Sequence, residues 1–153
     1  MDEIVARSLA KWPNVPAVYG WLSLDRRGNW RIKEEKIGNA ALREFIGRNY
    51  EPDAHGRWFF QNGPQRVYVR LAYTPLIVHF EGEALIDHCA RPFGVPLAVF
   101  LDDEGSVLVQ GERGIALVDD RDLHRYADDG ETLQRIIGSE LAQRFGFVPD
   151  PRP

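Results

Sequence analysis

The stretch RWFFQNGPQRVYVRL, residues 57–71, decides the fold class of this chain. Asn62-Gly63 separates two runs in which apolar and polar residues alternate. Asn-Gly between such runs is a strong signal for a β-hairpin, because both central residues of a tight type I′ turn need positive φ. A two-residue turn at this point predicts that Phe60 pairs with Gln65. The stretch therefore predicts antiparallel sheet.

Alternation gives this hairpin two different faces, because successive side chains of a strand point to opposite sides. The predicted core face is apolar and carries Trp58, Phe60, Val67, Val69 and Leu71. The opposite face mixes arginine with aromatic residues and carries Arg57, Phe59, Gln61, Arg66, Tyr68 and Arg70.

An earlier stretch predicts a second hairpin with the same kind of polar face. Residues 18–24 alternate, and Asp25-Arg-Arg-Gly28-Asn29 follows as a turn. Pairing of Leu24 with Trp30 puts the apolar residues of both strands on one side. The other side then carries Tyr19, Trp21, Arg31 and Lys33.

The remaining elements complete an α+β prediction. Further strands are expected at 74–80, 84–88, 97–102, 106–110 and 115–118, and helices at 2–12, 39–50, 119–122 and 131–145. The helix at 39–50 begins at Asn39, a favourable N-cap residue, and the helix at 131–145 rests on apolar residues at helical spacing. We therefore expect an antiparallel, hairpin-built sheet with a helix between the first two hairpins and C-terminal helices. Residues 1–148 are expected to form a single globular domain, and 149–153 a mobile Pro-rich tail.

Composition excludes several classes of protein. The chain has 153 residues, 44% hydrophobic and 27% charged, with one cysteine and a net charge of −4. It is too hydrophobic for a disordered chain, and its apolar runs are too short to span a membrane. A lone cysteine excludes a disulfide scaffold. The acidic N-terminus lacks the layout of a secretion signal, so we expect a cytoplasmic protein without membrane association.

The Arg/aromatic face is the candidate binding surface. Its nine residues are Tyr19, Trp21, Arg31, Lys33, Arg57, Phe59, Arg66, Tyr68 and Arg70. Such a surface can anchor a protein partner or a second copy of the chain, which we favour, or hold single-stranded nucleic acid or a nucleotide-like anion. The structural alternative is that one of the helices, 39–50 or 131–145, covers the face and buries its rings. Solvent exposure of Phe59 and Tyr68 separates these interpretations.

A second cluster raises the alternative of a metal-dependent enzyme. His79, Glu81 and Glu83 are followed by Asp87, His88 and Cys89, and imidazole with carboxylate can ligate zinc or iron. However, no established metal-ligand spacing or nucleophile motif is present, so we assign no catalytic residue, metal ligand or cofactor.

Three stretches resemble a family of small bacterial proteins of unknown function. They are KWPNVPAVYGWLSLDRRGNWRIK (11–33), FIGRNYEPDAHGRWFFQNGPQRVYVRLAYTPL (45–76) and DDRDL (119–123). The resemblance implies no activity, substrate or catalytic residue.

Overall fold

The strands form two six-stranded sheets in a computed structural model that describes residues 1–12 and 14–153. The described residues group into two compact units. Unit 1 comprises residues 1–25, 29–72 and 147–153, and unit 2 comprises residues 26–28 and 73–146. The single domain expected over 1–148 stays a prediction.

Unit 1 contains sheet A and two helices. Its elements are α1 (Glu3–Lys11), β1 (Val18–Leu24), β2 (Trp30–Ile32), β3 (Glu35–Lys36), α2 (Ala40–Arg48), β4 (Tyr50–Pro52), β5 (Trp58–Asn62) and β6 (Gln65–Leu71). The strand order is β3-β2-β1-β6-β5-β4, and β1 runs parallel to β6. The prediction of a purely antiparallel sheet is therefore wrong. The parallel pair joins strands that are distant in sequence, which no turn residue could indicate.

The first hairpin has the predicted register, and the second does not. Leu24 pairs with Trp30 as expected. In the second hairpin Asn62 pairs with Gln65, so the turn lies at Gly63-Pro64, with φ +58° at Gly63. Pro64 explains the shift, because it has no N–H with which to close a turn centred on Asn62-Gly63. The shift is two residues, so every side chain keeps its predicted face.

A bulge interrupts β1 where it meets β6. Val18 pairs with Val67 and Leu22 with Val69, so four residue steps on β1 match two on β6. Gly20 lies inside this irregularity with φ +74°, a conformation that glycine adopts without steric cost. The strict alternation expected along β1 therefore fails between Tyr19 and Leu22.

Helix α2 lies against the core face of sheet A. The side chain of Asn39 accepts a hydrogen bond from the backbone N–H of Leu42 and caps the first turn. Phe45 packs edge-to-face on Phe60 at 5.6 Å between ring centroids. The helix thus covers the β5 side of this face.

Unit 2 contains sheet B. Its elements are β7 (Leu76–Glu81), β8 (Ala84–Asp87), β9 (Ala98–Leu101), β10 (Val107–Gly111), β11 (Gly114–Val118), a 3₁₀ helix (Asp120–Tyr126), β12 (Gln134–Arg135), a second 3₁₀ helix (Gly138–Glu140) and α3 (Leu141–Phe145). The order is β12-β9-β10-β11-β7-β8, with β7 parallel to β11. In sheet A, the β1–β2 hairpin is followed along the chain by the meander β4–β5–β6, and β6 runs parallel to β1. In sheet B, the β7–β8 hairpin is followed by the meander β9–β10–β11, and β11 runs parallel to β7.

The predicted helix at 131–145 is wrong for most of its length. Gln134–Arg135 pairs with β9 instead, and only Leu141–Phe145 is α-helical. Gly138 separates the two, and its N–H donates to the Oδ1 atom of Asp103 at 2.8 Å. A glycine is a poor helix former. The strand pairing also holds Gln134–Arg135, inside the expected helix, in an extended conformation.

Four five-residue loops share one backbone design. In each, an aspartate carboxylate accepts a hydrogen bond from the N–H four residues later, and the residue before that N–H has positive φ. The loops begin at Asp25, Asp53, Asp87 and Asp102, with positive φ at Gly28, Gly56, Ala90 and Gly105. The Leu-Asp-x-x-Gly pattern shared by 24–28 and 101–105 is therefore turn chemistry.

The C-terminal segment, expected to be mobile, is hydrogen bonded within unit 1. The N–H of Val148 donates to the carbonyl of Gly56, and the N–H of Leu71 donates to the carbonyl of Pro149. Pro151 is buried.

Candidate functional site

An open apolar pocket of about 430 Å³ lies between α2 and the core face of sheet A. Its walls are mostly branched aliphatic side chains, with one phenyl ring: Val18, Leu22, Ile32, Ile46, Phe60 and Val67. The two large side chains Trp21 and Leu42 complete the wall and are 51% and 39% exposed. Helix α2 spans only nine residues, and the pocket is open where Trp21 and Leu42 are exposed.

Trp21 lies next to the bulge in β1 and borders the pocket. Tyr19 stacks on Tyr68 at 4.9 Å, and Trp21 lines the pocket together with Leu22. The placement of Trp21 beside Tyr19 on the Arg/aromatic face stays a prediction. The sequence signal for the bulge was Gly20, since a glycine inside a strand often marks a bulge.

Lys33 stands beside Trp21. Its backbone N–H donates to the carbonyl of Trp21 at 3.1 Å, and its Nζ atom lies 5.5 Å from the centre of the indole ring. Lys33 and Glu34 form the turn between β2 and β3 with φ +47° and +74°. A left-handed conformation costs a residue with a side chain roughly 1–2 kcal/mol.

The polar lining residues belong to the same end of sheet A. Asn62 and Gln65 flank the β5–β6 turn and line the pocket. Val18 pairs with Val67, so Gln65 lies beyond the start of β1. Asn62 and Gln65 therefore add amide groups to a lining whose other side chains are apolar.

The rings of the Arg/aromatic face are not open to water. Phe59 is 2% exposed and Tyr68 is 3% exposed, so the interpretation in which these rings are open to solvent is wrong. Arginine side chains account for part of this cover: the guanidinium of Arg66 lies 4.0 Å from the ring centre of Phe59, and that of Arg57 lies 4.8 Å from that of Tyr68. The long apolar stems of arginine can shield a ring while the charged head meets water.

Asp53 joins this cluster into a hydrogen-bond network. Its Oδ2 atom accepts from the hydroxyl of Tyr68 at 2.9 Å and from Nε of Arg57 at 2.8 Å, and its Oδ1 atom accepts from the N–H groups of His55 and Arg57. Burial alone raises the pKa of Asp53, but these donors outweigh it and lower the pKa to about 2. The carboxylate is a fixed anion at neutral pH.

The other predicted arginines also have acidic partners. Arg31 pairs with Asp25 at 2.9 Å, and Arg70 pairs with Glu34. Both arginines line a separate hollow of about 330 Å³. The nine predicted residues thus divide into three groups: Tyr19, Arg57, Phe59, Arg66 and Tyr68 around the Asp53 network; Arg31 and Arg70 in the hollow; and Trp21, which lines the apolar pocket, with Lys33 beside its ring.

The structure does not bring the histidines together as a catalytic or metal centre. Nε2 of His79 lies 3.2 Å from the carboxylate of Glu81, while Nδ1 of His88 accepts from the N–H of Ile77. Burial lowers the pKa of His88 to about 4 and raises the pKa of Cys89 to about 12, so the imidazole is neutral and the thiol protonated at neutral pH. Within residues 1–12 and 14–153, no three His, Cys, Asp or Glu side chains are grouped to hold a metal ion.

In the part of the chain that the structure describes, no helix is long and apolar enough to cross a bilayer.

Comparison with known proteins identifies one family of unknown function and two similar structures. The model of the DUF2944 family, described as "Protein of unknown function (DUF2946)", matches residues 1–152. No curated protein matches the chain. A DUF1285 family protein from Silicibacter pomeroyi DSS-3 has a similar structure, with a TM-score of 0.57, 16% identity and 84% of each chain covered. A DUF1285 family protein from Shewanella baltica OS155 gives a TM-score of 0.54 and 15% identity over 70% of this chain and 90% of that one.

Proposed function

We propose that this chain, which belongs to the DUF2944 family of proteins of unknown function, is a non-enzymatic binding protein whose unit 1 receives an apolar small molecule. The match over 1–152 confirms the family resemblance noted in the sequence and extends it beyond the stretches that carried it. The binding surface proposed is the pocket between α2 and sheet A.

The open apolar pocket is the observation that supports this proposal. Its volume of about 430 Å³ lies within the range of roughly 300–1,000 Å³ that is common for small-molecule sites. A ligand that removes about 250 Å² of apolar surface from water gains roughly 6 kcal/mol at ~25 cal/mol per Å², before the costs of association are subtracted. A gain of 6 kcal/mol corresponds to a dissociation constant of about 40 μM, so once the costs of association are subtracted we expect dissociation constants of roughly 0.1 mM or weaker.

Two half-exposed tryptophans provide a matched test. Trp21 lines the pocket, and Trp12 follows α1; they are 51% and 56% exposed, and each has a lysine Nζ atom near its ring, at 5.5 Å for Lys33 and 5.7 Å for Lys11. The probe is N-phenyl-1-naphthylamine, a neutral dye that fluoresces in apolar surroundings. We expect saturable, one-site binding to the full chain. Trp21→Ala should weaken it by about tenfold, the equivalent of 1.4 kcal/mol, whereas Trp12→Ala should leave it unchanged.

A second variant pair tests the helical wall. Leu42→Glu places a charge on the exposed edge of the pocket and should also weaken binding of the dye by tenfold or more. Ile4→Glu, on the exposed face of α1, is its control and should have no effect. Lack of saturable binding by the wild-type chain, or equal losses in a pocket variant and its control, would refute the proposal.

Arg66 supports a second candidate function, in which the Arg/aromatic face binds an anion or a protein partner. Its guanidinium lies on Phe59, and among the described residues no carboxylate forms an ion pair with it. Binding of a single-stranded oligonucleotide should weaken steeply as salt rises and should be lost in Arg66→Glu, whereas contact with a protein partner or a second copy should change little with salt. Absence of both kinds of binding removes this candidate.

A further inference from the structure

We infer that the ligand of the apolar pocket is an uncharged molecule with one polar group that both donates and accepts hydrogen bonds, held by the carboxamides of Asn62 and Gln65. The inference rests on the proposed function and adds the chemical class of the ligand. Three features support it: the uncharged lining, the position of the two carboxamides, and the different closure of the matching hairpin in unit 2.

The lining of the pocket contains no charged side chain among the residues that the structure describes. Eight of its ten residues are apolar, and the other two are Asn62 and Gln65. By contrast, the hollow around Arg31 and Arg70 also contains two carboxylates, and a hollow of about 420 Å³ in unit 2 is lined by three carboxylates and two arginines. An ionised group on a ligand would lose its hydration in the apolar pocket without gaining an opposite charge from the lining. The lining therefore favours a neutral ligand.

Asn62 and Gln65 lie side by side at the pocket. Asn62 ends β5, Gln65 begins β6, and the two residues are paired across the hairpin. Alternation puts Asn62 on the same side of its strand as Phe60, and Gln65 on the same side as Val67, so both carboxamides lie on the pocket side of the sheet. Each carboxamide has an oxygen that accepts and an NH2 group that donates. The pair can therefore satisfy a ligand group that does both, such as a primary amide or a hydroxyl.

The matching hairpin of unit 2 has no carboxamides at these positions and is closed by a ring. Gly111 and Gly114 correspond to Asn62 and Gln65, because each pair is the last of its hairpin before a two-residue turn. A Cβ atom at Gly111 would lie 2.7 Å from the ring of Phe93, which is buried. In unit 2 a phenyl ring thus occupies the place that the side chain of Asn62 takes in unit 1. A hairpin of this kind does not need carboxamides at its turn, which leaves ligand contact as their role in unit 1.

Octanamide and octanoate test the charge of the ligand, because they have nearly the same shape and differ in ionisation. Each is titrated to displace N-phenyl-1-naphthylamine from the full chain at pH 7.5. Octanamide is expected to bind about tenfold more tightly or more, because octanoate must lose the hydration of its carboxylate. Equal binding of the two would place the charged group in water outside the pocket and would overturn the inference.

Nonan-2-one tests the hydrogen bonds, because a methyl group replaces the NH2 group of octanamide while the carbonyl is kept. The ratio of the two dissociation constants therefore isolates the NH2 group. In the double variant Asn62→Leu/Gln65→Met, octanamide binding should weaken by about threefold to tenfold relative to nonan-2-one binding, since the NH2 group loses its acceptors. Gln143→Met, which removes an exposed carboxamide in α3, should leave the ratio unchanged.

The dye separates failure of the inference from failure of the proposed function. An unchanged ratio in the double variant, or an equal change in Gln143→Met, overturns the inference while the proposed function stands, since the dye still binds. If the double variant no longer binds the dye, the single variants Asn62→Leu and Gln65→Met are held to the same criterion. If neither the dye nor any of the three aliphatic molecules binds to the wild type, the inference and the proposed function are both overturned.

Discussion

Acidification to pH 5 should destabilise the chain through a single histidine. The imidazole of His88 has its Nε2 atom excluded from solvent, and its Nδ1 atom accepts the N–H of Ile77 at 3.2 Å. Protonation would charge a buried ring and replace that acceptor with a donor. Burial accordingly lowers the pKa of His88 from 6.5 to about 4.

The magnitude follows from proton linkage. The unfolded chain binds a proton at this residue below pH 6.5, and the folded chain does so only below about pH 4. The contribution of the neutral His88 side chain to the free energy of unfolding is therefore fully present above pH 6.5 and is lost as the pH falls towards 4. The full difference corresponds to about 3 kcal/mol, of which about 2 kcal/mol is lost at pH 5.

The assay is urea unfolding, followed by circular dichroism at pH 7.5, 6 and 5. His88→Asn keeps an acceptor close to the position of Nδ1, but asparagine does not titrate. From pH 7.5 to 5, the free energy of unfolding of the wild type should therefore fall by about 2 kcal/mol more than that of this variant. His124→Gln, at an exposed site, should lose stability in parallel with the wild type. An NMR titration of the wild type measures the same pKa without a variant. A constant free-energy difference across this range, or an imidazole that titrates near 6.5, would refute the reasoning.

Two further substitutions test local interactions. Tyr68→Phe removes one hydrogen-bond donor to the carboxylate of Asp53, so the pKa of Asp53 should rise from about 2 towards its usual value. The free energy of unfolding at pH 7 should fall by about 1–2 kcal/mol. An unchanged pKa of Asp53 in an NMR titration would contradict this. Gly28→Ala combines φ +81° with a new Cβ atom 2.7 Å from the Cβ of His88, whereas Gly105→Ala has φ +87° and no heavy atom within 4 Å. Both should lose roughly 1–2 kcal/mol to backbone strain, and Gly28→Ala should lose more in urea unfolding; equal losses would show that the close approach relaxes without cost.

Local chemistry explains which parts of the fold could be predicted. The register of the first hairpin depends on a five-residue turn whose Asp25 side chain binds the N–H of Asn29, and both residues are adjacent to the strands they align. In the second hairpin, the same reasoning missed that Pro64 lacks a donor. The faces were still predicted correctly, because a shift of two residues leaves each side chain on its own side.

The candidate site was predictable only in part. The sequence singled out Trp21 as a member of the Arg/aromatic face, but it did not indicate the apolar pocket that Trp21 lines. The pocket is lined by residues of both β1 and β6, and these strands are more than forty residues apart in sequence. The burial of Phe59 likewise depends on where the guanidinium of Arg66 lies, which no periodicity specifies.

The sequence by itself determined the α+β class and the turn of the first hairpin. It also determined, for most residues of the two hairpins, the side of the sheet on which the side chain lies. These features depend on neighbours within a few positions. Only the tertiary structure decided the parallel pairing of β1 with β6, the division into two sheets and the apolar pocket beside α2. These features arise where distant segments meet. Their geometry depends on packing and hydrogen bonding between strands, which local propensity does not encode.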